Sequence, residues 1–297
     1  KKVATVSRGR TSQRYQFIER NRQGFKVNYL CHWLKVSRSG YYDWRKRLPS
    51  RRSIEDGRLS TRIFAIFEQS RGTYGSPRIH QLLRQQQIRV GKKRVERLMR
   101  LHRLQGRVVK VTRRQPGLKR FKCSGENLRL NLEEAQNINQ IWVADITYLK
   151  VNQRWFYLAT IMDIYSRRIL GWSLSRHRTV QLTITALNYA MRQRSGERPN
   201  IFHTDRGIEY TAYRYQDVLK KHGMASSFNR PGYCTDNAHM ESFYHSLKAE
   251  LIRGRAFTSA KQLRHALNSY INQFYNHKRL HSALGYQAPA VYEKIAA

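Results

Sequence analysis

Three acids in this 297-residue chain stand where a carboxylate needs a chemical reason. Asp145 interrupts the apolar run Ile141-Trp142-Val143-Ala144-Asp145-Ile146-Thr147-Tyr148-Leu149. An ionised carboxyl among such strand-forming residues is costly to desolvate unless a cation or hydrogen-bond donors compensate it. Asp205 lies in Phe202-His203-Thr204-Asp205-Arg206-Gly207, and Glu241 in Asn237-Ala238-His239-Met240-Glu241-Ser242. If the three converge, they repel and raise one another's pKa unless a divalent cation stands between them. Mg²⁺ suits that role, because it prefers carboxylate oxygen, keeps waters and admits phosphate oxygens to its shell. Two such ions about 3.5–4 Å apart activate an attacking oxygen and stabilise a leaving one in a displacement at phosphorus.

The elements that must position these acids follow from the pattern of apolar residues. Runs at 141–149, 155–163 and 168–175, separated by short polar turns, predict a three-stranded antiparallel meander. Leu182, Ala186, Leu187, Ala190 and Met191 recur at helical spacing, and 200–203 is a short strand leading to Asp205. Tyr215, Val218 and Leu219 mark a further helix, 224–228 a further strand, and Asp236 is placed to cap the helix that carries Glu241. This order predicts a three-layer mixed α/β core over 141–258. A last helix over about 259–276, with a wide apolar stripe, opens a C-terminal segment 259–297 expected to pack on that core. Asp163 reads as a strand-end turn residue and Glu209 as solvent-facing or secondary, while His203 and His245 read as structural.

Charge identifies the partner. Lys and Arg number 57 against 19 Asp and Glu, a formal charge of +38, and a polyanion is the natural counterpart. Residues 1–140 carry +26 of it and 141–297 carry +12, so the first part is expected to hold nucleic acid and the second to do chemistry. No apolar stretch approaches the roughly 18 residues of a membrane span. Cys31, Cys123 and Cys234 are scattered, with neither a disulfide framework nor a C-x-x-C zinc pair, which fits a reducing, cytoplasmic setting.

Within the basic part, Val27, Leu30, Cys31 and Leu34 share a helical face, and Ser37 is placed to cap a second helix. Segment 1–50 thus reads as a helix-turn-helix with Arg38, Ser39 and Tyr42 as groove contacts, the alternative being an ordinary helical hairpin. A second helical DNA-binding segment spans 51–106. There Leu59, Ile63, Ile66 and Phe67 share one face, Ser76-Pro77 opens a helix as N-cap and N1, and Val95, Leu98 and Met99 face inward on another. Lys92, Lys93, Arg94, Arg97 and Arg100 crowd that last helix. Residues 107–140, with Arg113 and Arg114, read either as a basic tether or as an arm lying along DNA phosphates.

The three acidic motifs, Trp142 to Tyr148, His203 to Gly207 and Asn237 to Phe243, resemble those of DDE transposases of the bacterial insertion-sequence family three, which are similar to retroviral integrases. Asp205 and Glu241 have 35 residues between them, as in that family, and Lys248 stands seven positions after Glu241, where the family has a basic residue. Tyr275-Asn276-His277-Lys278-Arg279-Leu280-His281 and Pro289 resemble its C-terminal signature. The scattered cysteines cannot build the His-His-Cys-Cys zinc module of retroviral integrases, which favours the insertion-sequence relatives.

The resemblance implies an RNase H-like fold, a mixed five-stranded sheet flanked by helices, preceded by all-α helix-turn-helix segments. It implies Asp145, Asp205 and Glu241 as catalytic residues and ligands of two Mg²⁺ ions, with Mn²⁺ able to substitute. It further implies Lys248 on a terminal phosphate or base, with Asn237 assisting. The expected partners are the terminal inverted repeats of an element, target DNA and further copies of the chain, at least as a homodimer, on the bacterial nucleoid. The Lys1-Lys2-Val3 start suits a junction with an upstream-frame segment.

Overall fold

The apolar run around Asp145 folds into the middle strand of a five-stranded sheet. The computed structural model describes residues 10–107, 126–130, 134–230 and 234–296, and Arg113 and Arg114 lie outside the described residues. Contacts divide the chain into two units, 1–62 and 63–297, with the division inside one long helix.

In the first unit, α1 (Thr11–Asn21), α2 (Val27–Trp33) and α3 (Arg38–Lys46) enclose a small core of Ile18, Leu30, Cys31, Leu34 and Tyr41. Ser37 caps α3, its hydroxyl accepting from the Gly40 amide at 3.2 Å. The periodicity of α2 and α3 was legible, but α1 escaped it because Ile18 is its sole buried residue. Arg38, Ser39 and Tyr42 are all exposed. The long helix α4 (Arg51–Gln69) crosses from this unit into the next.

The second unit continues with α5 (Ser76–Gln85) and α6 (Lys92–Leu101). Gly75, not Ser76, takes the N-cap position of α5, so Pro77 stands one place deeper than anticipated. Val95, Leu98 and Met99 of α6 are buried, leaving Lys92, Lys93, Arg97 and Arg100 on its exposed side and Arg94 half-buried.

The sheet comprises β1 (Ile141–Val151), β2 (Arg154–Asp163), β3 (Ile169–Ser175), β4 (Ile201–Thr204) and β5 (Ala225–Phe228) in the order β3-β2-β1-β4-β5. The meander β1-β2-β3 is antiparallel, whereas β4 and β5 join β1 in parallel. A crossover through α7 (Val180–Gln193) separates β3 from β4, and α8 (Ile208–Thr211) and α9 (Tyr213–Lys221) return the chain to β5. Leu182, Leu187 and Ala190 of α7 pack with Trp142, Ala144, Ile161, Leu170 and Phe202 of the sheet and with Tyr215 and Leu219 of α9 in one core. The helix α10 (Ala238–Leu247) docks on β1 and runs on into a π-helical turn, Lys248–Ile252.

Three sequence expectations need correction. The helix anticipated over 259–276 is α11 (Ala260–Asn268) followed by a π-helical segment, Ser269–Tyr275; only its start, capped by Ser259, is as read. Asp236 does not cap α10. Its carboxylate accepts instead from the Arg230 amide and guanidinium and from Asn127 Nδ2. The segment expected as a tether or arm is anchored where it is described, since Glu126 O accepts from the Phe228 amide and the Leu128 amide donates to Ser227 Oγ.

Candidate active site

The register between β1 and β4 brings the first two acids together. Ala144 pairs with Thr204 in parallel, so the next residue on each strand is Asp145 and Asp205, on neighbouring strands about 4.8 Å apart. There β4 ends, while β1 runs on paired with β2 alone. Sites in sheets of this kind form at such switch points beyond the carboxyl ends of strands. Burial first, and then the neighbouring Asp205 charge, push the Asp145 carboxyl up to about 7. Asp205 is likewise raised by burial, against the pull of the Gly207 amide and Arg178.

The helix α10 is fastened to the same place on β1. Asn237, at its start, donates from Nδ2 to the Ala144 carbonyl at 3.0 Å. Two turns on, the Tyr244 hydroxyl lies 2.6 Å from the Asp145 carbonyl oxygen and 2.7 Å from Thr160 Oγ1. Residues three and four apart share a helical face. Glu241 follows Asn237 by four and precedes Tyr244 by three, so it lies on the face that docks on β1. Lys248, on the same face, feels the Asp145 charge, although burial lowers its own pKa. Its Nζ stands 4.9 Å from the Tyr148 ring centroid.

The structure thus joins Asp145 with Asp205 and places Glu241 and Lys248 on the helix opposite. Among the described residues, no three His, Cys, Asp or Glu side chains lie close enough together to hold a metal ion. The donor set nevertheless fits a hydrated hard cation. Two carboxylates raised by burial lie on neighbouring strands, Asp205 raising Asp145 further, and the Asn237 Oδ1 beside the same strand is buried without a partner. Asn237 itself departs from the DNA contact expected of it: it is 3% exposed and its amide anchors α10.

Three residues belong to this site that sequence reasoning misjudged or passed over. Glu209 is 4% exposed rather than solvent-facing, and Arg178 grips both its oxygens, at 2.8 and 3.0 Å. The Arg178 charge also favours the ionised forms of Asp145 and Asp205. Nothing in the spacing of Ser175-Arg176-His177-Arg178-Thr179 signals this role. Tyr244 could have been found, because it repeats the Asn237 position after two helical turns. Asp163 does end its strand, but it is fully buried and accepts from Arg194 and from the Asn139 and Tyr165 amides. His203 is structural as read: it bonds Ser227 and Asn229, and burial pushes it down to about 4. His245 is exposed and has no core role.

Comparison with known proteins bears directly on this arrangement. A family model described as an integrase core domain matches residues 135–234, and another of that description matches 222–289. A model of an HTH-like domain matches 54–112, the region of α4 to α6 rather than that of α2 and α3. The transposase InsF of insertion sequence IS3A from Escherichia coli is 37% identical over 287 residues, covering 94% of this chain and 98% of that protein. The chain belongs to the IS3 family of transposases. The 31 kDa protein of insertion element IS600 from Shigella sonnei is 35% identical over 275 residues, covering 89% of this chain and 97% of that one. Among solved structures, a chain of a simian T-cell lymphotropic virus intasome aligns at TM-score 0.47 and 18% identity, over 69% of this chain and 67% of that one. A magnesium complex of the HTLV-2 integrase catalytic core aligns at TM-score 0.41 and 17% identity, over 53% and 97% of the two chains. As an IS3-family transposase of the DDE type, the chain cleaves and transfers DNA strands, and its sheet and flanking helices are the RNase H-like core of that family. Among the described residues, no helix is long and apolar enough to cross a membrane.

Proposed function

We propose that the chain binds the terminal inverted repeats of its element and cuts and joins their strands at Asp145, Asp205 and Glu241 through two Mg²⁺ ions. The observation that carries this reading is the parallel register that sets Asp145 beside Asp205, under a helix whose docked face includes Glu241. Mg²⁺ is the ion such a pair of carboxylates suits, because it prefers carboxylate oxygen and keeps waters. When bound, the ions supply a polarised attacking oxygen and a stabilised leaving oxygen. The attack forms one P–O bond and breaks that to the 3′ oxygen, and the nucleophile's proton passes to solvent. Glu241 completes the donor set by turning its side chain toward β1. Lys248 holds a terminal phosphate, and Arg178 holds Glu209 in place and favours the ionised form of Asp205.

DNA outside the site is held by the helical segments. Lys92, Lys93, Arg94 and Arg97 of α6 meet phosphates or bases in the region matched by the HTH-like model, and Arg38, Ser39 and Tyr42 of α3 supply a second contact. Arg113 and Arg114 extend the phosphate contacts. Pairing two element ends requires at least a dimer, working on the bacterial nucleoid. The division into 1–50, 51–106, 107–140, 141–258 and 259–297 follows these tasks. Asp145→Asn, Asp205→Asn and Glu241→Gln should each abolish Mg²⁺-dependent nicking and joining of element-end DNA while leaving its binding largely intact. Full joining by any one of them removes that residue from the catalytic set, and binding without cutting by the parent chain removes the catalytic reading altogether.

A further inference from the structure

Beyond the acids, the β1-β2 hairpin carries two side chains that catalysis does not use. Tyr148 and Trp155 are large aromatics at 59% and 51% exposure, packed edge to face with ring centroids 5.2 Å apart. Lys150 is the cross-strand partner of Trp155, with its Nζ 5.7 Å from the indole centroid, and Lys248 lies over Tyr148. A pair of rings, flanked by one cation at each end, therefore runs from the end of α10 out along the β1-β2 hairpin. Exposed aromatics of this size are an apolar liability on a chain of charge +38 unless a ligand covers them.

We propose that Tyr148 and Trp155 form a stacking platform for an unpaired DNA base next to the scissile phosphate, with Lys150 and Lys248 holding the flanking phosphates. The proposal rests on the reading of Asp145 and its partners as the cutting site. Tyr148 is three residues beyond Asp145, about 10 Å along the strand at roughly 3.3 Å per residue and on the opposite face, and Lys248, which lies over the Tyr148 ring and feels the Asp145 charge, links the two. Nucleotides in a stacked strand repeat every ~3.4 Å, so the platform meets a base within about three nucleotides of the cut. An aromatic face accepts any base, whereas a paired base inside a duplex offers its face to nothing but its neighbours. The platform thus selects a frayed or unpaired end. Charge complementarity favours nucleic acid over an apolar protein partner, because both rings are flanked by lysine.

The test uses the full chain in EDTA, so that no strand is cut, with a short duplex carrying about three unpaired nucleotides at one end, 2-aminopurine among them, and the same duplex made blunt. The parent chain should quench the 2-aminopurine and prefer the frayed probe. Trp155→Ala should weaken frayed-probe binding by about 5- to 150-fold, the range of a lost base–aromatic stack, and leave the blunt probe unaffected. Trp155→Phe and Tyr148→Phe should retain the preference. Both side chains are exposed, so melting curves of the variants should overlay that of the parent. Equal affinity of the parent for the two probes, or an equal loss on both in Trp155→Ala, overturns the platform. If the parent still nicks with Mg²⁺ while showing no preference, the platform falls and the catalytic reading stands. If Asp145→Asn still joins strands while the preference holds, the reverse is true.

Discussion

The pKa of Asp145 makes the site sensitive to pH in a direction that can be worked out. Its folded value, about 7, lies above the ordinary 3.8, so ionising it disfavours the folded state. The stabilising contribution of the neutral acid is complete below about pH 4 and is lost as pH rises through 7. In metal-free buffer, Asp145→Asn should therefore become progressively more stable than the parent between about pH 4 and 7, with the gap levelling above that. Denaturant melts at several pH values measure the gap, and a gap independent of pH contradicts the buried, raised acid. His203 works oppositely, losing stability as pH falls toward 4, but it is common to both proteins and cancels in the difference. A second residue-scale constraint is Gly207. A Cβ there would meet Asp205 Oδ1 at 2.9 Å and Glu209 Oε2 at 3.2 Å, so any side chain displaces the acid. Gly207→Ala should lower strand joining by less than the roughly 100-fold expected for a misplacement near 1 Å, because the acid must give by only a few tenths of an ångström, with DNA binding unchanged. Joining at the parent rate would show that Asp205 tolerates the shift.

At the scale of elements, the helix that carries Glu241 is held at both ends by polar contacts that apolar periodicity does not reveal. Asn237 and Tyr244 fix α10 to β1, and the π-helical turn that follows is locked by a buried ion pair, Arg279 to Glu250, at 2.7 Å. Arg279 also donates to Ser246 Oγ, and Tyr270 Oη bonds Glu250 Oε2 at 2.8 Å. The Tyr275-to-His281 signature therefore acts as a clamp on the end of the helix that carries Glu241 and Lys248. A buried charge left without its partner destabilises by about 3–5 kcal/mol. Arg279→Met should lose stability on that order, as read from denaturant midpoints, and the double variant with Glu250→Leu should recover much of it. A single variant as stable as the parent would mean that the pair contributes nothing. The strands were legible from their apolar runs, but the interruption of the last helix after Asn268 was not, because its stripe continues unbroken through Tyr275.

At the scale of the whole chain, charge is divided unevenly. Of its charge of +38, the +26 in residues 1–140 accompanies the helical segments, and the carboxylates proposed as catalytic lie on β1, just after β4 and on α10. Binding to duplex DNA should fall with salt at a slope of about −0.9 per phosphate neutralised, whatever the DNA sequence. Charge reversal at Lys92 and Lys93 together should reduce that slope by about two in a titration followed by anisotropy, if each meets one phosphate. An unchanged slope places the duplex elsewhere.

Sequence alone determined the five strands, the nature of the acids and their spacing, because alternating apolar residues and short motifs are local properties of the chain. It also fixed the sign and size of the charge. Only the tertiary structure decided which acids become neighbours, since the parallel register of β1 and β4 joins residues 60 positions apart through a crossover that no local pattern encodes. The same holds for Arg178 on Glu209, for Asn237 turned from DNA to the Ala144 carbonyl, and for the paired rings of Tyr148 and Trp155. Each depends on partners distant in sequence or across a strand pair, and burial, which sets the Asp145 charge, exists only once those partners are in place.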